Sequence, residues 1–143
     1  IGGISNVVKR MRPGVTIFGV EPEGADTMAR SVEAGSPQSI DAVRTIADSL
    51  GAPYALPYSF ELTRANVDHY CRITEAEIRR AMGFLFREQK IAVEPACAAS
   101  TAALFGPLRA QLAGRKVLLL FCGSNIDWST WSRQAQLDLQ HVD

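Results

Sequence analysis

The sequence has 143 residues, enough for one compact domain or a piece of a larger one, and its 47% hydrophobic and 21% charged content excludes a disordered chain. Fifteen basic residues offset fifteen acidic ones, which leaves no electrostatic footprint for nucleic acid or an anionic membrane. Cys71, Cys97 and Cys122 fall in no disulfide or zinc pattern, the longest apolar run (116–122) is far too short to span a bilayer, and residues 1–20 lack a signal-peptide layout, so a cytoplasmic protein is expected.

Residues 1–12 carry Ile4, Val7, Val8 and Met11 at helical spacing, and Pro13-Gly14 stops that helix. Gly2 and Gly3 open it with no capping residue ahead, as at a cut inside a longer helix. The β-branched run 15–20 reads as a buried strand ending at Glu21-Pro22. A second helix is expected from about Asp26, its cap, to Ala34, closed by Gly35 and followed by a Pro-, Ser- and Gly-rich connection over 36–58. A short helix near 60–65 leads into 67–73, whose alternation predicts a half-exposed strand. Thr74 and Glu77 form a capping box for a helix to about Gln89, with Ile78, Ala81, Met82, Leu85 and Phe86 on one face. Pro95 suits the first turn of an alanine-rich helix that Gly106-Pro107 breaks. The run 115–121 is the clearest buried strand, followed by 122–127 and a last helix in which Trp128 and Trp131 read as packing residues. Strands alternating with helices predict an α/β fold, an open, mostly parallel sheet flanked by helices.

Ligands of such sheets bind beyond the carboxyl ends of strands, which singles out 21–26, 93–97 and 122–125. The last combines a thiol, a glycine that allows close approach, and Ser124-Asn125, which donate and accept hydrogen bonds; the same residues also suit a plain turn. Glu94 either serves a site or simply favours the helix dipole behind it. His69, in a strand, and His141, in a polar tail, have no nucleophile motif beside them and read as surface residues.

Four motifs, in this order and spacing, carry a resemblance: Glu21-Pro22 after a strand, Thr45-Ile-Ala-Asp48, Val93-Glu-Pro-Ala96 followed by alanines, and Cys122-Gly-Ser-Asn-Ile-Asp127. Together they resemble the threonine/serine dehydratase and serine racemase family of pyridoxal 5'-phosphate (PLP) dependent enzymes, over nearly the whole chain from residue 1 to about 127. The resemblance implies fold type II, the tryptophan-synthase-β-like fold, with residues 1–143 as the carboxyl-terminal part of the larger PLP-binding domain. It implies an ammonia-lyase that removes water from a small amino-acid substrate bearing a β-hydroxyl to give a 2-oxo acid and ammonia. Threonine or serine is the expected substrate, with a specialised one of the kind met in hydroxyectoine use kept open, in a catabolic enzyme that forms a homo-oligomer at full length. A racemase on the same cofactor and a non-catalytic chain that pairs with a partner are the alternatives.

The same resemblance implies residue roles. Cys122 stands where the family has serine or cysteine facing the pyridine nitrogen of PLP, with Gly123 beside it. Glu94 matches an acidic residue near the cofactor, although Cys97 replaces the motif's usual glycine. Ser49 replaces a usual glycine in a loop close to substrate, where its hydroxyl either alters substrate choice or points to solvent. Glu21, the carbonyl of Ala25 and Thr27 fall where some relatives hold magnesium or calcium, but Thr27 replaces a carboxylate there, and one carboxylate makes a poor hard-cation site. The family's cofactor-bearing lysine lies in a Ser-x-Lys-x-Arg stretch that Lys9, Lys90 and Lys116 do not match, and its phosphate-cradling tetraglycine loop would fall just before Ile1. The chain is therefore expected to be a portion of the enzyme without the catalytic lysine, inactive by itself.

Overall fold

The structure, a computed structural model, describes residues 1–136; His141 lies outside the described residues. Helix α1 spans Gly2–Met11, strand β1 Phe18–Pro22, helix α2 Thr27–Ala34, helix α3 Pro57–Asn66, strand β2 His69–Ile73, helix α4 Glu75–Gln89, helix α5 Pro95–Phe105 and helix α6 Trp128–Gln136. The two strands pair in parallel, Phe18 opposite His69 and Pro22 opposite Ile73, with α2 and α3 in the crossover between them. The first strand begins later than the β-branched run suggests. Residues 15–17 are instead tied across to Asp68, whose carboxylate accepts from the Ile17 N–H (2.7 Å) and from Lys9 Nζ (2.7 Å).

The core forms where α4 and α5 cross the sheet. Ile73, Ile78, Met82 and Leu85 are fully buried against Cys97, Ala98, Ala99, Ala102 and Ala103, and the alanines let the two helices approach closely. An Ala98→Leu change would have nowhere to place three extra carbons and would cost about 1–3 kcal/mol. The capping box is present as expected: the Thr74 hydroxyl accepts from the Glu77 N–H, and the Glu77 carboxylate accepts from the Thr74 N–H at 2.7 Å. Phe86, expected on the buried face, is exposed, with its ring centroid 4.8 Å from that of Trp131. Trp131 is buried and donates from Nε1 to the Val93 carbonyl (3.0 Å), and Trp128 stacks on it from the solvent side.

Helix α1 forms as its spacing predicts, with Ile4, Val7 and Met11 facing outward and Ser5 buried. One expectation fails on packing. The run 115–121 forms no strand, and Leu118 is 90% exposed. Apolar content makes a strand only where a neighbouring backbone takes its N–H and C=O groups, and among the described residues no strand lies beside this run.

Candidate functional site

Three segments remote in sequence meet at the Glu94 side chain. Glu94 is the residue before α5, where Pro95 opens the helix with its fixed φ and no N–H to satisfy. One carboxylate oxygen accepts from the Asn125 N–H (3.0 Å), and the other lies 3.4 Å from the Ser49 hydroxyl, a long and weak hydrogen bond. The Glu94 N–H donates to the Gly123 carbonyl at 3.2 Å. Gly123 lets the Glu94 carboxylate lie against the loop, since a Cβ would fall 2.5 Å from Glu94 Oε1 and the carboxylate would have to move. The exposed thiol of Cys122 is covalently next to this contact.

Both flanks of the junction are fixed. The indole of Trp131 holds Val93, just before Glu94. Asp127 ends the 122–127 loop by capping α6, accepting from the Thr130 N–H (2.9 Å) and the Ser129 hydroxyl (2.6 Å). These donors hold its carboxyl well below the usual carboxylate range. Four expected site residues, Ser49, Glu94, Cys122 and Gly123, are therefore brought together. Cys97 is buried, its N–H bonded to the Glu94 carbonyl (3.1 Å), so a thiol replaces a hydrogen there without breaking the helix start.

The turn after β1 is organised differently. Glu21 Oε1 accepts from the Met28 N–H (3.0 Å) and Oε2 from the Ala29 N–H (2.7 Å), so this carboxylate caps α2. Burial pushes the Glu21 carboxyl up, and the two amides offset this only in part. Thr27 donates its hydroxyl to the Ala52 carbonyl at 2.6 Å, and Ala25 is buried. Glu21 thus gives both carboxylate oxygens to the start of α2 and Thr27 its hydroxyl to Ala52, and among the described residues no three of His, Cys, Asp and Glu converge on one point.

Asp26 stands at the N-cap of α2 as expected, but its side chain makes no capping hydrogen bond. Its buried carboxylate bridges Arg30 Nε (2.6 Å) and Arg72 Nε (2.8 Å), and Arg72 reaches on to Glu33 with both terminal nitrogens. Burial alone would raise the Asp26 carboxyl, but Arg72 and then Arg30 outweigh it and hold it below its ordinary value. His69 is exposed and lies 5.1 Å, centroid to centroid, from the Phe18 ring, a surface contact.

The Glu94 junction gathers groups able to line a ligand: an exposed cysteine, a glycine, and a carboxylate with a hydroxyl at its rim. Lys9 and Lys90 supply no amine there, being engaged by Asp68 and by the Arg87 carbonyl. One participant escaped sequence reasoning: Glu75, whose carboxylate holds the loop carrying Ser49. As an acidic residue in a helix first turn it had an ordinary explanation already.

The sequence pattern of a family described as pyridoxal-phosphate dependent enzyme matches residues 1–123. Over 137 residues the chain is 48% identical to a phenylserine dehydratase of Ralstonia pickettii, covering 96% of this chain and 42% of that protein. Its fold matches that of a threonine deaminase from T.th. with a TM-score of 0.84 at 34% identity, covering 89% of this chain and 45% of that one. A maize serine racemase matches with a TM-score of 0.84 at 28% identity, covering 98% and 44% respectively. The chain spans less than half the length of each of these three relatives.

Proposed function

The chain belongs to the pyridoxal-phosphate dependent enzyme family, and from that premise we propose that the polypeptide carrying it eliminates water from a β-hydroxy amino acid to an enamine, which tautomerises to an imine and takes up water again to give a 2-oxo acid and ammonia. The observation that carries this reading is the junction itself, where Ser49, Gly123 and Asn125 meet on Glu94 beside an exposed thiol. When bound, pyridoxal phosphate supplies the electron sink that makes the α-C–H of an amino acid acidic. Cys122 presents to the ring a small partner without positive charge, which disfavours protonation of the ring nitrogen and so favours loss of the β-hydroxyl. Glu94 fixes the 122–125 loop through the Asn125 N–H, and Ser49 beside it supplies a hydroxyl for the polar groups of the amino acid. Gly123 lets the two segments close on one another.

The likeness to a phenylserine dehydratase supports a substrate with a bulky β-substituent, alongside threonine and serine. The outward faces of α1 and of 117–121 would be covered by the remainder of the enzyme or by a second subunit, in a homo-oligomer. The free Cys71, Cys97 and Cys122 suit a reducing cytoplasm. The test is to supply the full-length, cofactor-loaded protein with threo-phenylserine, L-threonine or L-serine and to measure both 2-oxo acid and D-amino acid. Oxo acid is expected from at least one substrate, accompanied by ammonia. D-amino acid without oxo acid would show a racemase, and no turnover of any substrate would leave a non-catalytic chain.

A further inference from the structure

The loop that presents Ser49 has no regular structure over 42–47 and only a short 3₁₀ turn over Asp48–Leu50, yet Ala47 within it is fully buried. Backbone contacts fix it at two places. The Arg44 N–H donates to the Gly24 carbonyl (2.9 Å), and Gly24 permits this crossing because a Cβ there would fall 1.9 Å from the Arg44 oxygen. After the turn, Leu50 N–H donates to the Ala47 carbonyl at 2.9 Å.

Between these points one side chain holds the loop. Glu75 Oε1 accepts from the Thr45 hydroxyl (2.6 Å) and Glu75 Oε2 from the Ile46 N–H (2.9 Å). The Thr45 oxygen in turn accepts from the Ala47 N–H at 3.1 Å. A charged acceptor on two successive residues is a strong tether. Helix α4 does not need this carboxylate for its own start, since Thr74 and Glu77 already complete the capping box. Glu75 instead serves a loop 29 and 30 residues away in sequence. Three residues beyond Ile46 the loop carries Ser49, whose hydroxyl lies 3.4 Å from both Asp48 Oδ1 and Glu94 Oε1.

We infer that Glu75 is a positioning residue: by clamping Thr45 and Ile46 it sets the Ser49 hydroxyl against Glu94, and so governs affinity for the amino acid without touching it. This rests on the proposed elimination. The alternative role, a tether that only stabilises the fold, makes different predictions. Gln at position 75 keeps one acceptor oxygen for two donors, so the loop loosens while α4 remains capped. In the full-length holoenzyme, Glu75→Gln should raise KM about tenfold with kcat within about twofold of wild type. In a Ser49→Gly background the same substitution should change KM by less than about twofold, because effects passing through one residue do not add. Glu77→Ala, which removes the side-chain acceptor of the capping box of the same helix, should lower the melting temperature and leave KM alone.

Equal KM increases from Glu75→Gln and Glu77→Ala, an unchanged KM in Glu75→Gln, or full additivity with Ser49→Gly would each overturn the inference. If the holoenzyme turns over no β-hydroxy amino acid, the functional reading falls, and amide hydrogen exchange in the cofactor-free protein decides the tether by itself. Faster exchange at Ile46 and Ser49 in Glu75→Gln, with α4 amides as in wild type, supports positioning; exchange at wild-type rates overturns it.

Discussion

Glu21 and Glu94 both follow apolar segments and both engage donors with their two carboxylate oxygens, yet they build opposite kinds of place. Glu21 gives both oxygens to successive amides of one helix start, in a buried corner where Thr27 is also satisfied and Asp26 is neutralised by two arginines. Glu94 divides its oxygens between two distant segments, at an edge where a thiol and a hydroxyl remain exposed. The contrast shows that the number of bonds a carboxylate makes does not mark a site. What distinguishes the site is that the bonds join segments otherwise free to separate and leave chemical groups facing outward.

The largest expected effect attacks the open junction: Gly123→Ala would push a methyl against the Glu94 carboxyl, only 2.6 Å from Cδ, and displace the loop that holds Cys122. Activity of the full-length enzyme should fall about a hundredfold, as misplacement by an ångström commonly costs, with little change in the urea midpoint. The closed corner should respond in stability instead. Asp26→Asn leaves Arg72 and Arg30 with a weaker partner and should cost about 1–3 kcal/mol in urea unfolding, with KM unchanged.

That loss should itself depend on pH. The native Asp26 carboxyl lies below its unfolded value, so its contribution is complete above the ordinary aspartate range and disappears as pH falls through the lower native value; wild type and Asp26→Asn should converge in acid. Glu21 has the opposite sign. Its native carboxyl lies above the unfolded value, so its contribution is present below the ordinary glutamate range and is lost as pH rises through the raised value. Glu21→Gln should therefore cost least near neutral pH, less than Asp26→Asn, and adding or chelating calcium or magnesium should leave the melting temperature of either protein unchanged.

Much of the scaffold was legible because local chemistry decided it. Thr74 and Glu77 announce the start of α4, Gly35 ends α2 in the left-handed conformation at φ 71, and the alanines of α5 foretell its tight packing. What failed depends on partners that a sequence does not display. The apolar run 115–121 has strand composition without a neighbouring strand among the described residues. Within the site, Ser49, Glu94, Cys122 and Gly123 were readable from motifs. Asp26 was readable as the residue at the cap of α2, but the pairing of its side chain with Arg72, 46 residues away, was invisible from its neighbourhood, and Glu75 was hidden for the same reason.

The most direct test of the open junction as a cofactor site is the dissociation constant of pyridoxal phosphate for the full-length protein, with and without Cys122→Ala. Loss of one ring contact should weaken binding about tenfold, with kcat/KM for the β-hydroxy amino acid falling as well. A dissociation constant and kcat/KM both indistinguishable from wild type would contradict the assignment of Cys122 and of the junction around it.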